Sequence, residues 1–201
     1  MKNKHIYEFQ GIKPVVHPSA FIHPLATVIG NVIIGKDVYI GPGAVLRGDW
    51  GKIIINDGCN VQENCVIHMF PGKDVILEPS AHVGHGAIIH GGILRENCLI
   101  GMGAVIMDDV EIGKESIIGA LAFVPANTKI PERKLAVGNP AKIIKDVSDE
   151  MIRWKTEGTK LYQQLPEQCH KTLKPCEPLS HPPKFQKELK IDYKTWKETK
   201  S

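Results

Sequence analysis

Aliphatic residues recur at every sixth position over most of the chain. Ile22, Val28, Ile34, Ile40 and Leu46 begin the series; after a nine-residue step it resumes at Ile55, Val61 and Ile67, and after a ten-residue step at Leu77, Val83 and Ile89. A five-residue step leads to Leu94, Ile100, Ile106, Ile112, Ile118, Val124 and Ile130, which completes eighteen rungs without a polar residue. The position two before each rung is Ala, Val, Cys, Ser or Thr, with Ile53 and Gly92 as exceptions. Six residues do not return to one face of a 3.6-residue spiral, so a helix does not produce this pattern. One short strand and one turn per hexapeptide do. Three hexapeptides make a triangular coil, and coils stacked at roughly 4.8 Å bury the rungs inside a prism. The prediction is an all-β prism, a parallel β-helix of about six coils over residues 14 to 131, followed by a C-terminal α-helix.

That helix is signalled by Ser148 as a cap, with Asp149 and Glu150 in its first turn. Met151, Trp154, Gly158, Leu161 and Leu165 form an apolar stripe suited to lying along the prism, and Pro166 is expected to break or restart the helix. Beyond it, Pro175, Pro178, Pro182, Pro183 and many lysines read as an extended arm. The expected organisation is therefore a β-helix over 1–135, a linker and packing helix over 136–173, and a Pro/Lys-rich tail over 174–201.

Composition narrows the function classes. The net charge of +3 is concentrated in the tail, where eight lysines follow His170 against four acidic residues, so the body shows no basic face and no nucleic-acid partner is expected. No apolar run is long enough for a membrane span and no signal-peptide h-region follows Met1, so the expectation is a cytoplasmic protein without a membrane partner. Five cysteines, an odd number, suit a reducing compartment. Cys59, Cys65 and Cys98 fall in the small slot before a rung and read as packing residues rather than thiolate ligands.

The candidate chemistry lies in HVGHGAIIHGG, residues 82 to 92. His68 follows rung Ile67 and His90 follows rung Ile89, three rungs later, so the two should stack at one corner, one coil apart and aimed outward. His85 follows rung Val83 by two places, on the preceding face, and meets that pair only if prisms pack around a threefold axis. In that arrangement the site would lie between subunits. Three imidazoles leave a fourth position for water, the arrangement of a catalytic zinc, although iron or cobalt suits the same ligands. His82 has no comparable partner, and His17 and His23, each before Pro, read as turn or surface residues. Arg47 and Asp49 are either a solvated loop pair or a pair across the subunit boundary. Asn60, Gln62 and Glu63 lie nearby in sequence, and Gln62 is placed to hydrogen-bond a metal-bound hydroxide.

The segments LRGDWG, NVQENCVIH, HVGHGAIIHGG and LIGMGAVIMD resemble the γ-class carbonic anhydrase family of left-handed β-helices. The resemblance implies trimers with zinc held by His68, His85 and His90, an interface pair at Arg47 and Asp49, and a water-binding Gln62. VGNPAK and WKTEGTKLYQQL are similar to the branch containing PaaY-type proteins of phenylacetate degradation and CaiE-type proteins of the carnitine operon. The PaaY-type proteins imply a thioesterase that hydrolyses acyl-CoA through a zinc-bound hydroxide, and the CaiE-type proteins a part in carnitine metabolism. The alternatives are CO2/bicarbonate interconversion, a hexapeptide acyltransferase, or a carnitine-operon accessory protein. The chain departs from the family in carrying Glu63 where Asp is usual, Trp50 where an acidic proton carrier often stands, and Met69-Phe-Pro-Gly where Gly-Phe is common. The first concerns a predicted catalytic carboxylate, and the second argues against fast CO2 hydration.

Overall fold

The computed structural model of the chain describes residues 5–185, 188 and 191–200. Parts of the predicted tail, at 186–187, 189–190 and 201, lie outside the described residues. The predicted prism is present as a left-handed parallel β-solenoid of about seven turns. Its first face stacks Ile22, Ile40, Val61, Val83, Ile100, Ile118 and Ala136 in register. The second stacks Val28, Leu46, Ile67, Ile89, Ile106 and Val124, and the third Ile34, Ile55, Leu77, Leu94, Ile112 and Ile130. Every rung except the partly buried Ile22 lies in one continuous core. Cys59, Cys65 and Cys98 are buried in it as expected, and burial pushes their thiols up to about 12, 11 and 12.

The stretch read as an RGDWG loop is instead part of one strand, Val45–Ile55, that turns the corner from the second face to the third without a break. It pairs along most of its length with Thr27–Ile34 in the coil before it. Two glycines permit this. A Cβ on Gly48 would stand 2.5 Å from the Asn31 carbonyl oxygen, and one on Gly51 would overlap the Lys73 carbonyl, so only the bare backbone fits between the coils.

Past the last coil, Lys134–Val137 pairs antiparallel with Lys142–Asp146, and the chain enters a helix at Asp149–Thr172. Ser148 caps it, accepting from the Met151 amide at 3.3 Å. Two expectations are corrected. Pro166 neither breaks nor restarts the helix but sits buried within it, where packing on the prism outweighs the loss of one backbone hydrogen bond. The buried stripe is Met151, Lys155, Gly158, Thr159 and Pro166 rather than the all-apolar series. The helix is rotated because its polar side chains find partners on the corner between the third and first faces. Lys155, 3% exposed, donates to the Ser80 carbonyl at 3.0 Å and to Asn97 Oδ1 at 2.6 Å, and Gln163 donates to the Gly58 carbonyl at 3.0 Å.

The described end of the tail is not a free arm. Tyr193 stacks on Trp154 with ring centroids 5.9 Å apart, and Trp154 Nε1 donates to the Lys194 carbonyl at 2.9 Å, so residues 191–200 fold back over the helix. Among the described residues no helix is long and apolar enough to cross a membrane.

Candidate functional site

His68 and His90 stand at the corner between the second and third faces, brought there by the pairing of Ile67 with Ile89. Their ring centroids are 5.5 Å apart. His68 Nε2 lies 3.0 Å from Asp49 Oδ1, and Arg47 Nη1 donates to Asp49 Oδ2 at 2.6 Å, so the predicted interface residues pair within one chain. Burial works to raise the Asp49 carboxyl, but hydrogen bonds from Arg47 and His68 outweigh it and hold the group below its ordinary range. His90 Nδ1 lies 3.1 Å from Asp108 Oδ1. Trp50 leans over His68 with centroids 5.0 Å apart, and the Arg47 guanidinium sits 5.4 Å from the Trp50 ring centre.

His85 occupies a separate corner, between the first and second faces. Its Nδ1 is 2.5 Å from Glu63 Oε2, and Glu63 Oε1 accepts from the Tyr39 hydroxyl at 3.1 Å. Burial first, then the Glu63 charge, push the Tyr39 hydroxyl above its ordinary value. Gln62 lies on this side of the prism rather than with His68 and His90. Its Nε2 donates to Asn60 Oδ1 at 2.9 Å and meets His82 Nε2 at 2.7 Å.

His82, read from the sequence as partnerless, is therefore the middle of a polar chain: its Nδ1 lies 3.2 Å from Thr159 Oγ1, which donates to the Lys155 carbonyl at 3.2 Å. Burial, then the Lys155 and His85 charges, push His82 down to about 3, so it is neutral at physiological pH. Asn60 is wholly buried, and its Nδ2 has no hydrogen-bond partner among the described residues.

Within one chain the three predicted ligands are not gathered, and no group of three or more His, Cys, Asp or Glu among the described residues forms a metal cluster. Each of the three imidazoles nevertheless has one ring nitrogen on a carboxylate: His68 on Asp49, His85 on Glu63 and His90 on Asp108. A carboxylate that fixes one nitrogen of an imidazole orients the other as a lone-pair donor, the outer-shell arrangement of metal-binding histidines. The donor set fits a divalent ion if two corners from different chains meet.

Two cavities flank His85. One, of about 470 Å³ between the helix and the first face, is walled by Leu99, Met102, Leu161, Trp154 and Tyr193, with Gln62 and His82 at its polar end. The other, of about 810 Å³, contains Tyr39, Glu63, Gln164 and Gln168. His85, Leu161 and Tyr162 line both.

A six-residue coil repeat carrying outward histidines at two of its corners defines a hexapeptide-repeat β-helix protein. The bacterial transferase hexapeptide (six repeats) pattern matches residues 13–48 and 91–126. Carnitine operon protein CaiE of Escherichia coli K12 is 47% identical over 173 residues, 86% of this chain and 88% of that protein. The CaiE of Proteus sp. strain LE138 is 47% identical over 177 residues, 88% of this chain and 90% of the relative. The chain belongs to this hexapeptide-repeat family, with CaiE-type proteins among its relatives. In solved structures it is similar to a Bacillus cereus protein assigned to the acetyltransferases, with TM-score 0.80, 37% identity and coverage of 81% of this chain and 95% of that one. A hexapeptide transferase family protein of Anaplasma phagocytophilum matches with TM-score 0.79 and 31% identity over 84% of this chain and 99% of that one.

Proposed function

We propose that the protein is a metal-dependent hydrolase of acyl-CoA thioesters, assembled as a homotrimer with its site between subunits. The observation that carries this reading is the carboxylate-backed imidazole at each of two corners that one chain keeps apart. Their separation is matched by the face between them. Beyond Thr27 on the first coil, the outward positions of the second face are Val45, Val66, Ile88, Val105 and Phe123, an apolar column in register, with Val66 and Ile88 37% and 40% exposed. Three such faces turned toward a common axis would bury these columns and bring the His85 corner of each chain to the His68 and His90 corner of the next.

His68 and His90 of one chain and His85 of its neighbour would hold the ion, with zinc, iron or cobalt all compatible. When bound, such an ion supplies an activated water near neutral pH and polarises a carbonyl oxygen. The chain's own residues prepare the site. Asp49, Glu63 and Asp108 fix the ring tautomers, Arg47 balances Asp49, and Trp50 covers His68 from solvent. Hydrolysis joins a water oxygen to the thioester carbonyl carbon, breaks the C–S bond and leaves one proton on the departing thiol. Gln62 keeps its Oε1 for a water proton, since its Nε2 is engaged by Asn60 and His82.

The acetyltransferase and hexapeptide transferase relatives support a second reading, acyl transfer from CoA to an amine or hydroxyl. The Glu63 and His85 pair favours it, because a carboxylate-oriented imidazole serves as a general base without a metal. Thiol release from acetyl-CoA and longer acyl-CoAs separates the two. Hydrolysis predicts release without an acceptor, loss on chelation and return with zinc. Release that needs an acceptor and survives chelation identifies the transferase, and CO2 hydration without thiol release contradicts both.

A further inference from the structure

We propose that the cavity of about 470 Å³ between the helix and the first face binds the apolar acyl tail of the thioester, while the cavity of about 810 Å³ on the other side of His85 takes the amide-bearing thiol arm. The inference rests on the acyl-CoA reading above and assigns the orientation of the substrate across the site.

The smaller cavity lies between the helix and the first face. Its inner wall is the outward side of the first face, where Leu99 stands one coil beyond His82. Its roof is the ring of Tyr193, seated over Gly158. A Cβ at Gly158 would stand 2.5 Å from the tyrosine hydroxyl, so glycine at mid-helix, a poor helix former, makes room for the roof. The Tyr193 hydroxyl donates to the Trp154 carbonyl at 3.1 Å and its ring stacks on Trp154, which fixes it in place.

The polar groups Gln62, His82 and Lys155 that reach this space are already engaged, the Lys155 ammonium by the Ser80 carbonyl and Asn97 Oδ1. Gln62 Nε2 is bonded to Asn60 and His82, and His82 is neutral and bonded through both nitrogens. A ligand group entering here meets hydrocarbon and aromatic surface, which selects an uncharged apolar chain or ring. His85 lines both cavities, so the ion it would hold, and the thioester carbonyl polarised there, would lie where the two meet. On its far side, Gln164 and Gln168 offer side-chain amides to the amide groups of a pantetheine-type arm. The roof depends on the C-terminal segment, which gives residues 191–196 a place in substrate recognition.

The test uses S-alkyl-CoA thioethers, which lack the carbonyl and are not hydrolysed, titrated calorimetrically from ethyl to hexyl against the full-length protein. A methylene that enters the cavity strengthens binding about fourfold, so affinity should climb steadily along the series. Ala120→Trp, which projects a ring into the cavity from the exposed prism surface, should flatten the climb and leave ethyl-CoA binding unchanged. Tyr193→Ala, which removes the roof, should weaken hexyl-CoA binding at least tenfold with little effect on ethyl-CoA. Equal affinity across the wild-type series, or an unaltered climb in both variants, overturns the assignment. A retained climb in a protein that releases no thiol would instead contradict hydrolysis and leave the pocket standing.

Discussion

His68 and His90 share one edge of the prism, 22 residues apart in sequence, with ring centroids 5.5 Å apart. Nothing local to either residue sets this distance. It is fixed by the backbone pairing of Ile67 with Ile89, which the ten-residue and six-residue steps between rungs bring into register. Two imidazoles one coil apart, each tied to a carboxylate on its own side, would supply two of the three ligands of the proposed metal site.

The carboxylates behind these rings should govern metal affinity more than fold. Asp49→Asn and Asp108→Asn keep the size of each side chain while weakening its hold on the histidine. Each is expected to lower zinc affinity by roughly 10- to 100-fold with little change in thermal stability. Competition titration against a chromogenic chelator reads this directly; unchanged affinity in both would detach the carboxylates from metal binding.

Ile88→Lys should abolish assembly without unfolding the chain. Ile88 points outward from the second face while its neighbour Ile89 fills the core, so a lysine there costs the monomer little but places a charge among the packed columns of a trimer. Sedimentation is expected to show a trimer for the wild type and a folded monomer for the variant. A wild type that sediments as a monomer would remove the basis for a shared site.

The His82 network predicts acid sensitivity. The folded state holds His82 near 3 while the unfolded chain titrates near 6.5, so the unfolded state binds more protons between these values. Its stability contribution is fully present above pH 6.5 and is lost as pH falls toward 3. Urea unfolding should show wild type losing roughly 3 kcal/mol more than His82→Gln between pH 7 and pH 4. Parallel losses would mean that the ring titrates normally in the fold.

Thiol reactivity should divide the cysteines by position. Cys176 is exposed, Cys169 partly so, and Cys59, Cys65 and Cys98 lie in the core with raised thiols. In the native protein a disulfide reagent is expected to label Cys176 rapidly and the three core cysteines only after denaturant is added. Fast native labelling of Cys98 would contradict the packing of the central coils.

The coils were legible in the sequence because each hexapeptide is constrained locally: a rung must be aliphatic and the residue two before it must be slender. Counting rungs therefore placed His68 over His90 and put His85 on another corner. What escaped is what depends on the helix. His82 meets Thr159 across 77 residues, and the helix turns Thr159 inward because buried Lys155 finds Ser80 and Asn97 on the prism. No periodicity within either segment encodes that rotation. Pro166 and the strand through Arg47 to Gly51 depart from the sequence expectation for a related reason, since packing on a neighbouring element overrides a local preference in both.

The most direct measurement mixes two inactive chains. His85→Ala lacks the contribution from one corner and His68→Ala that from the other, so neither alone builds a complete site. Refolded together, mixed trimers should regain metal and thiol release at a fraction of the wild-type level, because the intact corner of one chain meets the intact corner of its neighbour. Mixtures that trimerise yet stay as inactive and metal-free as either parent would contradict a site shared between subunits.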